Sequence, residues 1–170
     1  MNRSNTVGLD AETVLRAAGA LADAAGLDGM IGGQVIDMDA ENKEIGLDRL
    51  LMLQQLKTGC LIRCAARMGC IIGGASEEQL AAADAYAAKI GLAFQIEDDL
   101  LDIEGDESVF GKPIGSDAAS GKSTFPGLLG MDKCRSMIRN LTDDAILALD
   151  AFEDTVFLSQ LAESLISRKS

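Results

Sequence analysis

Ser76-Glu77-Glu78-Gln79 opens a run that keeps a helical period over many turns and ends in a crowd of carboxylates. A Ser followed three residues later by Gln is a reciprocal N-terminal cap. Behind it Leu80, Ala83, Ala87, Ile90 and Phe94 recur at the spacing of one helix face. The pattern predicts one long helix that continues through Phe94-Gln95-Ile96-Glu97-Asp98-Asp99-Leu100-Leu101-Asp102 and stops around Gly105. At about 100° per residue, Asp98, Asp99 and Asp102 fall within an arc of about 100°, with Gln95 inside it. A chain built on such a helix must keep one of its faces for three carboxylates and an amide.

Nothing local neutralises that face. No Lys or Arg stands three or four residues from any of the three aspartates, and none occurs between Lys89 and Lys112. Each like-charged neighbour pair costs a helix roughly 0.2 to 0.5 kcal/mol, and the helix dipole near a C-terminus is unfavourable for anions. A divalent cation would offset both. Carboxylate oxygens with neither His nor Cys in the cluster favour Mg2+ over zinc, and Mg2+ keeps its remaining positions for water and phosphate oxygens. The bland alternative is a solvated acidic face, against which stands its border of Phe94, Leu100 and Leu101.

The rest of the chain is that of a helical protein. Ala, Leu, Ile and Met are plentiful, aromatics make up 4% and Pro occurs twice, so an all-α fold is expected. At 170 residues and 48% hydrophobic, the chain can bury one core, and residues 1–170 are expected to form a single domain. Neither an internal repeat nor a linker interrupts them. The net charge of -12 argues against a nucleic acid or an anionic membrane surface as partner. There is no His, which leaves carboxylates, metal or the substrate itself to carry chemistry. Cys60, Cys64, Cys70 and Cys134 read as small, reduced core residues. Met1 to Thr6 lacks the apolar segment of a signal peptide and no stretch is long enough to span a membrane, so a cytoplasmic protein is expected.

In order, residues 1 to 9 read as a flexible lead-in. Asp10 can cap a helix through Val14, Leu15, Ala18 and Leu21 to a stop near Gly26. A second helical run surrounds Met30 to Met38, where Gly32-Gly33 costs about 1 kcal/mol per glycine and implies close approach of a neighbouring helix or a ligand. Leu47 to about Ile72 predicts one long helix with Leu50, Leu53, Leu56, Cys60, Cys64 and Met68 on its apolar face, ended by Gly73-Gly74. Within it Lys57-Thr58-Gly59 sets a cation and a hydroxyl beside a glycine. Gly105 to Gly121 reads as a functional loop, carrying Gly111-Lys112 and closing on Gly121-Lys122-Ser123-Thr124. It is not a P-loop, since the required earlier glycine falls at Ser116 and a helix precedes it. Two lysines on a glycine-rich loop beside an acidic helix still suit phosphate oxygens. A short helix from Phe125 to Gly130 and two more, roughly Asp132 to Phe152 and Thr155 to Ser167, complete the scaffold.

Gly33-Gln34, Lys57-Thr58-Gly59, the segment Phe94 to Asp102, Gly111-Lys112 and Gly121-Lys122-Ser123-Thr124 with Phe125-Pro126 stand in one order and spacing. Together they resemble the C-terminal half of trans-isoprenyl diphosphate synthases, closest in pattern to bacterial farnesyl (geranyltranstransferase) and geranylgeranyl diphosphate synthases. The resemblance covers about residue 26 to the end. It implies the antiparallel helical bundle of the isoprenoid synthases, here only its C-terminal half. Asp98, Asp99 and Asp102 would be the second aspartate-rich motif, ligating Mg2+ that bridges to an allylic diphosphate. Lys57, Lys112 and Lys122 would contact that diphosphate, and Thr58 and Gln95 would turn oxygen dipoles toward the allylic carbocation. The substrates implied are dimethylallyl or geranyl diphosphate together with isopentenyl diphosphate, and a homo-oligomer is expected. Family members are about twice this length, and their first aspartate-rich motif has no counterpart here. The chain is thus expected to begin at an internal start, as a shortened reading frame or as a truncated product, and to be inactive alone. Two other readings stand beside this one: a non-catalytic subunit that oligomerises or pairs with a full-length synthase, and a fragment of a terpene cyclase, against which the lysine-bearing loop speaks.

Overall fold

The computed structural model describes residues 8–104 and 121–166, and every described element is helical. The expected lead-in, the expected lysine-bearing loop with Lys112, and Ser167 of the expected last helix fall on residues outside the described ones. Helix α1 spans Ala11–Ala25, α2 Met30–Asp39, α3 Leu47–Gln54, α4 Cys60–Gly73, α5 Glu77–Glu104, α6 Phe125–Leu129, α7 Met131–Leu147 and α8 Val156–Ile166.

Local signals set most of the boundaries. Asp10 caps α1 by accepting from the Thr13 N–H at 2.8 Å. Ser76 and Gln79 form the reciprocal box at the head of α5: the Gln79 N–H donates to Ser76 Oγ at 3.2 Å, and the Ser76 N–H donates to Gln79 Oε1 at 3.0 Å. α4 closes on Gly74 in the left-handed conformation (φ 71°), where the Ala75 N–H reaches back to the Cys70 carbonyl at 2.9 Å. That return bond is the glycine-dependent helix stop. It leaves three residues between α4 and α5, which pack side by side and therefore run antiparallel.

Helix α5 is the axis of the domain. Leu80 joins Ala17 and Ile71 in one apolar cluster, while Tyr86, Ala87 and Ile90 join Ala145, Leu149 and Ala162 in a second. Ala93, Ile96 and Leu100 join Leu50, Phe125, Cys134 and Ile138 in a third. A helix buried on so many sides keeps little freedom to move. The polar arc of Gln95, Asp98 and Asp99 is therefore held by a rigid element.

Two expectations need correction. The helix expected over Leu47 to Ile72 is broken by a π-helical turn, Gln55–Gly59, between α3 and α4. A π turn inserts one residue into the helical count, so Leu56, Cys60 and Met68 are only half-buried, while Gly59, Cys64 and Ile71 are buried. The second concerns α1: Leu15 is 74% exposed and Leu21 45%. Its buried contact is made by Ala17, on the face that meets α4. The first helix reads from the sequence as small-faced as well as amphipathic, and α1 does turn a narrow seam of small residues to its neighbour; what is corrected is only the place of Leu15 and Leu21, which lie outside that seam.

The cysteines are free, with Cys64 and Cys134 buried. No helix among the described residues is long and apolar enough to cross a membrane.

Candidate active site

A cavity of about 200 Å3 opens where α2, α3 with its π turn, α5 and the segment entering α6 meet. Its polar lining is Asp37 from α2, Glu41 from the turn just after it, Gln54, Lys57 and Thr58 from the α3 to α4 junction, Gln95, Asp98 and Asp99 from α5, and Lys122, Ser123 and Thr124. Five of the sequence-derived site residues in that lining, Lys57, Thr58, Gln95, Asp98 and Asp99, come from just two continuous stretches of chain. Lys122 arrives from a third. Asp102, one turn beyond Asp98 and half-buried, is not among the lining residues, and Lys112 lies outside the described residues.

The π turn sets the first group. Gly33 of α2 lies against the backbone of Leu56 and Lys57, and on the other side a Cβ on Gly91 would come within 3.8 Å of the Gly59 Cα. Small residues thus let α2 and α5 close on the bulge from two directions. The close approach expected of Gly32-Gly33 is that of a helix. Lys57 Nζ is held by Asp37 Oδ2 at 2.5 Å, in a pair about one-fifth to one-third exposed. Thr58 donates through Oγ1 to Gln95 Oε1 at 3.3 Å, bridging the bulge to α5.

Asp98 and Asp99 behave differently although adjacent. Asp98 is exposed, and its carboxylate makes no hydrogen bond or ion pair among the described residues. Asp99 is half-buried and accepts through Oδ2 from the Phe125 N–H at 2.8 Å. Its charge is felt in the core: burial pushes the Cys134 thiol above its usual range, and Asp99 adds to that shift. Lys122 is exposed beside them, without an ion pair among the described residues.

The cavity thus brings two ammonium groups to a hard, anionic oxygen set, with a hydroxyl and an amide between them. Among the described residues no three carboxylates converge as a cage for a metal ion. This arrangement suits Mg2+, which accepts one or two protein carboxylates and takes its other ligands from water and phosphate. The unpartnered Asp98 carboxylate fits such an ion. Three polar lining residues went unread in the sequence: Gln54 at the end of α3, Asp37, one turn after Gly33 on the same face of α2, and Glu41, four residues further on in the turn that follows α2. The four-residue spacing from Gly33 was the available signal for Asp37 and Glu41.

The chain is thus an all-α bundle whose central helix offers aspartates to a lysine-lined cavity. Residues 11–159 match the Polyprenyl synthetase family, to which the chain belongs. It is 45% identical over 153 residues to the farnesyl diphosphate synthase of Escherichia coli (strain K12), covering 87% of this chain and 51% of that one. The farnesyl diphosphate synthase of Bacillus subtilis (strain 168) is 42% identical over 124 residues, covering 73% of this chain and 42% of that one. The chain spans about half the length of these curated relatives. Among solved structures, an FPP/GFPP synthase from Zymomonas mobilis superimposes with a TM-score of 0.79 at 39% identity, covering 92% of this chain and 52% of that one.

Proposed function

We propose that this chain forms the diphosphate-ionising side of a farnesyl or geranylgeranyl diphosphate synthase. The observation that carries the reading is the shared cavity of Lys57, Thr58, Gln95, Asp98 and Lys122. At about 200 Å3 it falls below the roughly 300 to 1,000 Å3 of whole small-molecule pockets, so it suits a charged head group more than a complete prenyl chain.

In this reading the allylic carbon to oxygen bond of dimethylallyl or geranyl diphosphate breaks, and its electron pair leaves with pyrophosphate. Lys57 and Lys122, with Lys112 from the loop outside the described residues, stabilise the charge that develops on the leaving oxygens. Asp98, Asp99 and Asp102 are the proposed carboxylates toward Mg2+, which supplies further charge neutralisation when bound. Thr58 Oγ1 and Gln95 Oε1 direct negative dipole ends toward the allylic carbocation. The double bond of isopentenyl diphosphate then captures the cation, and a proton is lost to complete the head-to-tail product. In the family that the chain resembles, the departing pyrophosphate takes that proton, so the absence of His is no obstacle. A cytoplasmic reaction between water-soluble diphosphates accords with this assignment, and inactivity of these 170 residues alone is part of the proposal.

Calorimetric titration with geranyl diphosphate, with and without Mg2+, tests the reading on wild type and Asp98→Ala. Binding that needs Mg2+ and disappears in the variant supports it; absence of binding in the wild type overturns it. Normal turnover of isopentenyl and geranyl diphosphates by the purified chain would overturn the claim of inactivity alone.

One observation favours a second reading, that of a subunit which oligomerises or pairs with a full-length synthase. Ile31, Val35 and Met38 form an exposed apolar stripe along α2, with Leu27 just before it, from 45% to 77% accessible. Light scattering that found a strict monomer, alone and with a full-length synthase, would remove this alternative.

A further inference from the structure

We propose that Asp99 is a positioning residue: its carboxylate straps the backbone carrying Lys122 to the acidic helix, and through that strap Asp99 serves the diphosphate site. The inference rests on the reading of the cavity given above, and within that reading it takes Asp99 out of the set of carboxylates toward Mg2+, leaving that task to Asp98 and Asp102.

The segment from Gly121 to Phe125 is tied at both ends. At its far end the Phe125 N–H donates to Asp99 Oδ2 at 2.8 Å, and the Phe125 side chain is wholly buried in the cluster that holds Ile96 and Leu100. Toward its near end Ser123 Oγ accepts the Ile45 N–H at 3.0 Å, from the connection between α2 and α3. Gly121, with φ 67°, lies against Asn42 of the same connection. Lys122 therefore sits on a short span whose two anchors belong to different parts of the fold. Its side chain is exposed and makes no ion pair among the described residues, so the backbone is what aims it. A charged acceptor holds a backbone N–H about twice as strongly as a neutral one. Asp98, next in sequence, is exposed, with its carboxylate unengaged by described residues.

Amide hydrogen exchange by NMR and calorimetry with Mg2+ and inorganic pyrophosphate, both on the full chain, test the assignment. Asp99→Ala should speed exchange of the Phe125 amide about tenfold or more, as loss of one charge-assisted bond implies. Exchange at Ile45 should rise with it, because Ser123 leaves when its anchor does. Ala93, deep in α5, should be unaffected, which separates release of the strap from general unfolding. Asp99→Asn keeps an acceptor oxygen of the same reach and should restore protection and pyrophosphate affinity to within about threefold, whereas an anionic metal ligand so replaced should not recover. Asp99→Ala and Lys122→Ala should each weaken pyrophosphate about tenfold, with the double variant no worse than Lys122→Ala alone.

Protection at Phe125 and Ile45 that survives Asp99→Ala overturns the strap. So does a general loss of protection that reaches Ala93 in Asp99→Ala while Asp99→Asn fails to restore the site. Losses that add in the double variant, or an Asp99→Asn as weak as Asp98→Asn, would make Asp99 a direct ligand instead. A wild-type chain that takes up no pyrophosphate overturns the diphosphate reading, and exchange at Ile45 then decides the strap independently.

Discussion

A methyl group placed on Gly33 would lie 2.2 Å from the backbone nitrogen of Lys57 and 2.6 Å from its Cα. Both obstacles are main chain, so no side chain can swing aside. Gly33→Ala must push α2 off the π turn. The expected cost is about 1 to 3 kcal/mol of stability, together with weakened pyrophosphate binding as Asp37 is drawn from Lys57. Gly19, mid-helix in α1 with nothing within 4 Å, is the control. Gly19→Ala should stabilise by roughly 0.5 to 1 kcal/mol. Urea unfolding of the two variants checks both signs.

Along the acidic segment, function and stability fall on opposite faces. Ile96 is 0% exposed in the main core, and Ile96→Ala should cost about 2 to 5 kcal/mol. Asp98 faces water one turn from the like-charged Asp102, so Asp98→Ala should leave stability unchanged or raise it by a few tenths of a kcal/mol. Thermal unfolding that showed Asp98→Ala to be strongly destabilising would remove Asp98 from the list of binding groups.

Ligand addition should be readable in the melting temperature. With Mg2+ pyrophosphate present as one ligand at about 100 times its dissociation constant, the folded state gains about 2.7 kcal/mol, and a chelator should return the transition to that of the free chain. Pyrophosphate stabilisation that persists in excess chelator would argue that the lysines act without a metal.

Alkaline pH should weaken the fold. Burial pushes Tyr86 above its ordinary value, with its hydroxyl donating to the Leu158 carbonyl at 2.7 Å, and burial likewise pushes up Cys64. In each case the folded state holds its proton at a pH where the unfolded chain has begun to lose it. Their contribution is therefore fully present below the unfolded pKa values, about 8.5 for Cys and 10 for Tyr, and is lost as pH rises through the folded ones. Unfolding free energy measured from pH 7 to 11 should be level at first and then fall. Tyr86→Phe should flatten the upper part of that curve at a cost of about 1 kcal/mol near neutrality.

What could be read from the sequence was what is local. The Ser76 and Gln79 box and the Asp10 cap depend on spacing within a few residues and appear in the structure as expected, while of the arc of Gln95, Asp98, Asp99 and Asp102 the cavity takes all but Asp102. The Asp37 to Lys57 pair, the Asp99 to Phe125 bond and the Ser123 to Ile45 bond join residues 20, 26 and 78 positions apart. Spacing says nothing about which distant partner will satisfy a given carboxylate or N–H. Helical period likewise placed Leu15 on an apolar side of α1 without showing that the contact would be made through Ala17. The π turn escaped for another reason: its residues have ordinary helical propensity apart from Gly59, and what accompanies the bulge is packing of Gly33 and Gly91 from two other helices.

That bulge divides the stretch from Leu47 to Gly73 into two angular frames. Buried positions before it, Leu50 and Leu53, and after it, Cys64 and Ile71, belong to different phases of the same rod, and the extra residue at Gln55–Gly59 takes up the difference. A one-residue deletion there would therefore be nearly invisible to the hydrophobic core, which could settle into an unbroken α-helix with both phases still inward. The loss would fall on Lys57 and Thr58, whose backbone would be drawn back into the helical cylinder and away from Gln95 and the cavity. In this protein a frame of assembly and a frame of chemistry run through one helix, and a single peptide unit is the offset between them.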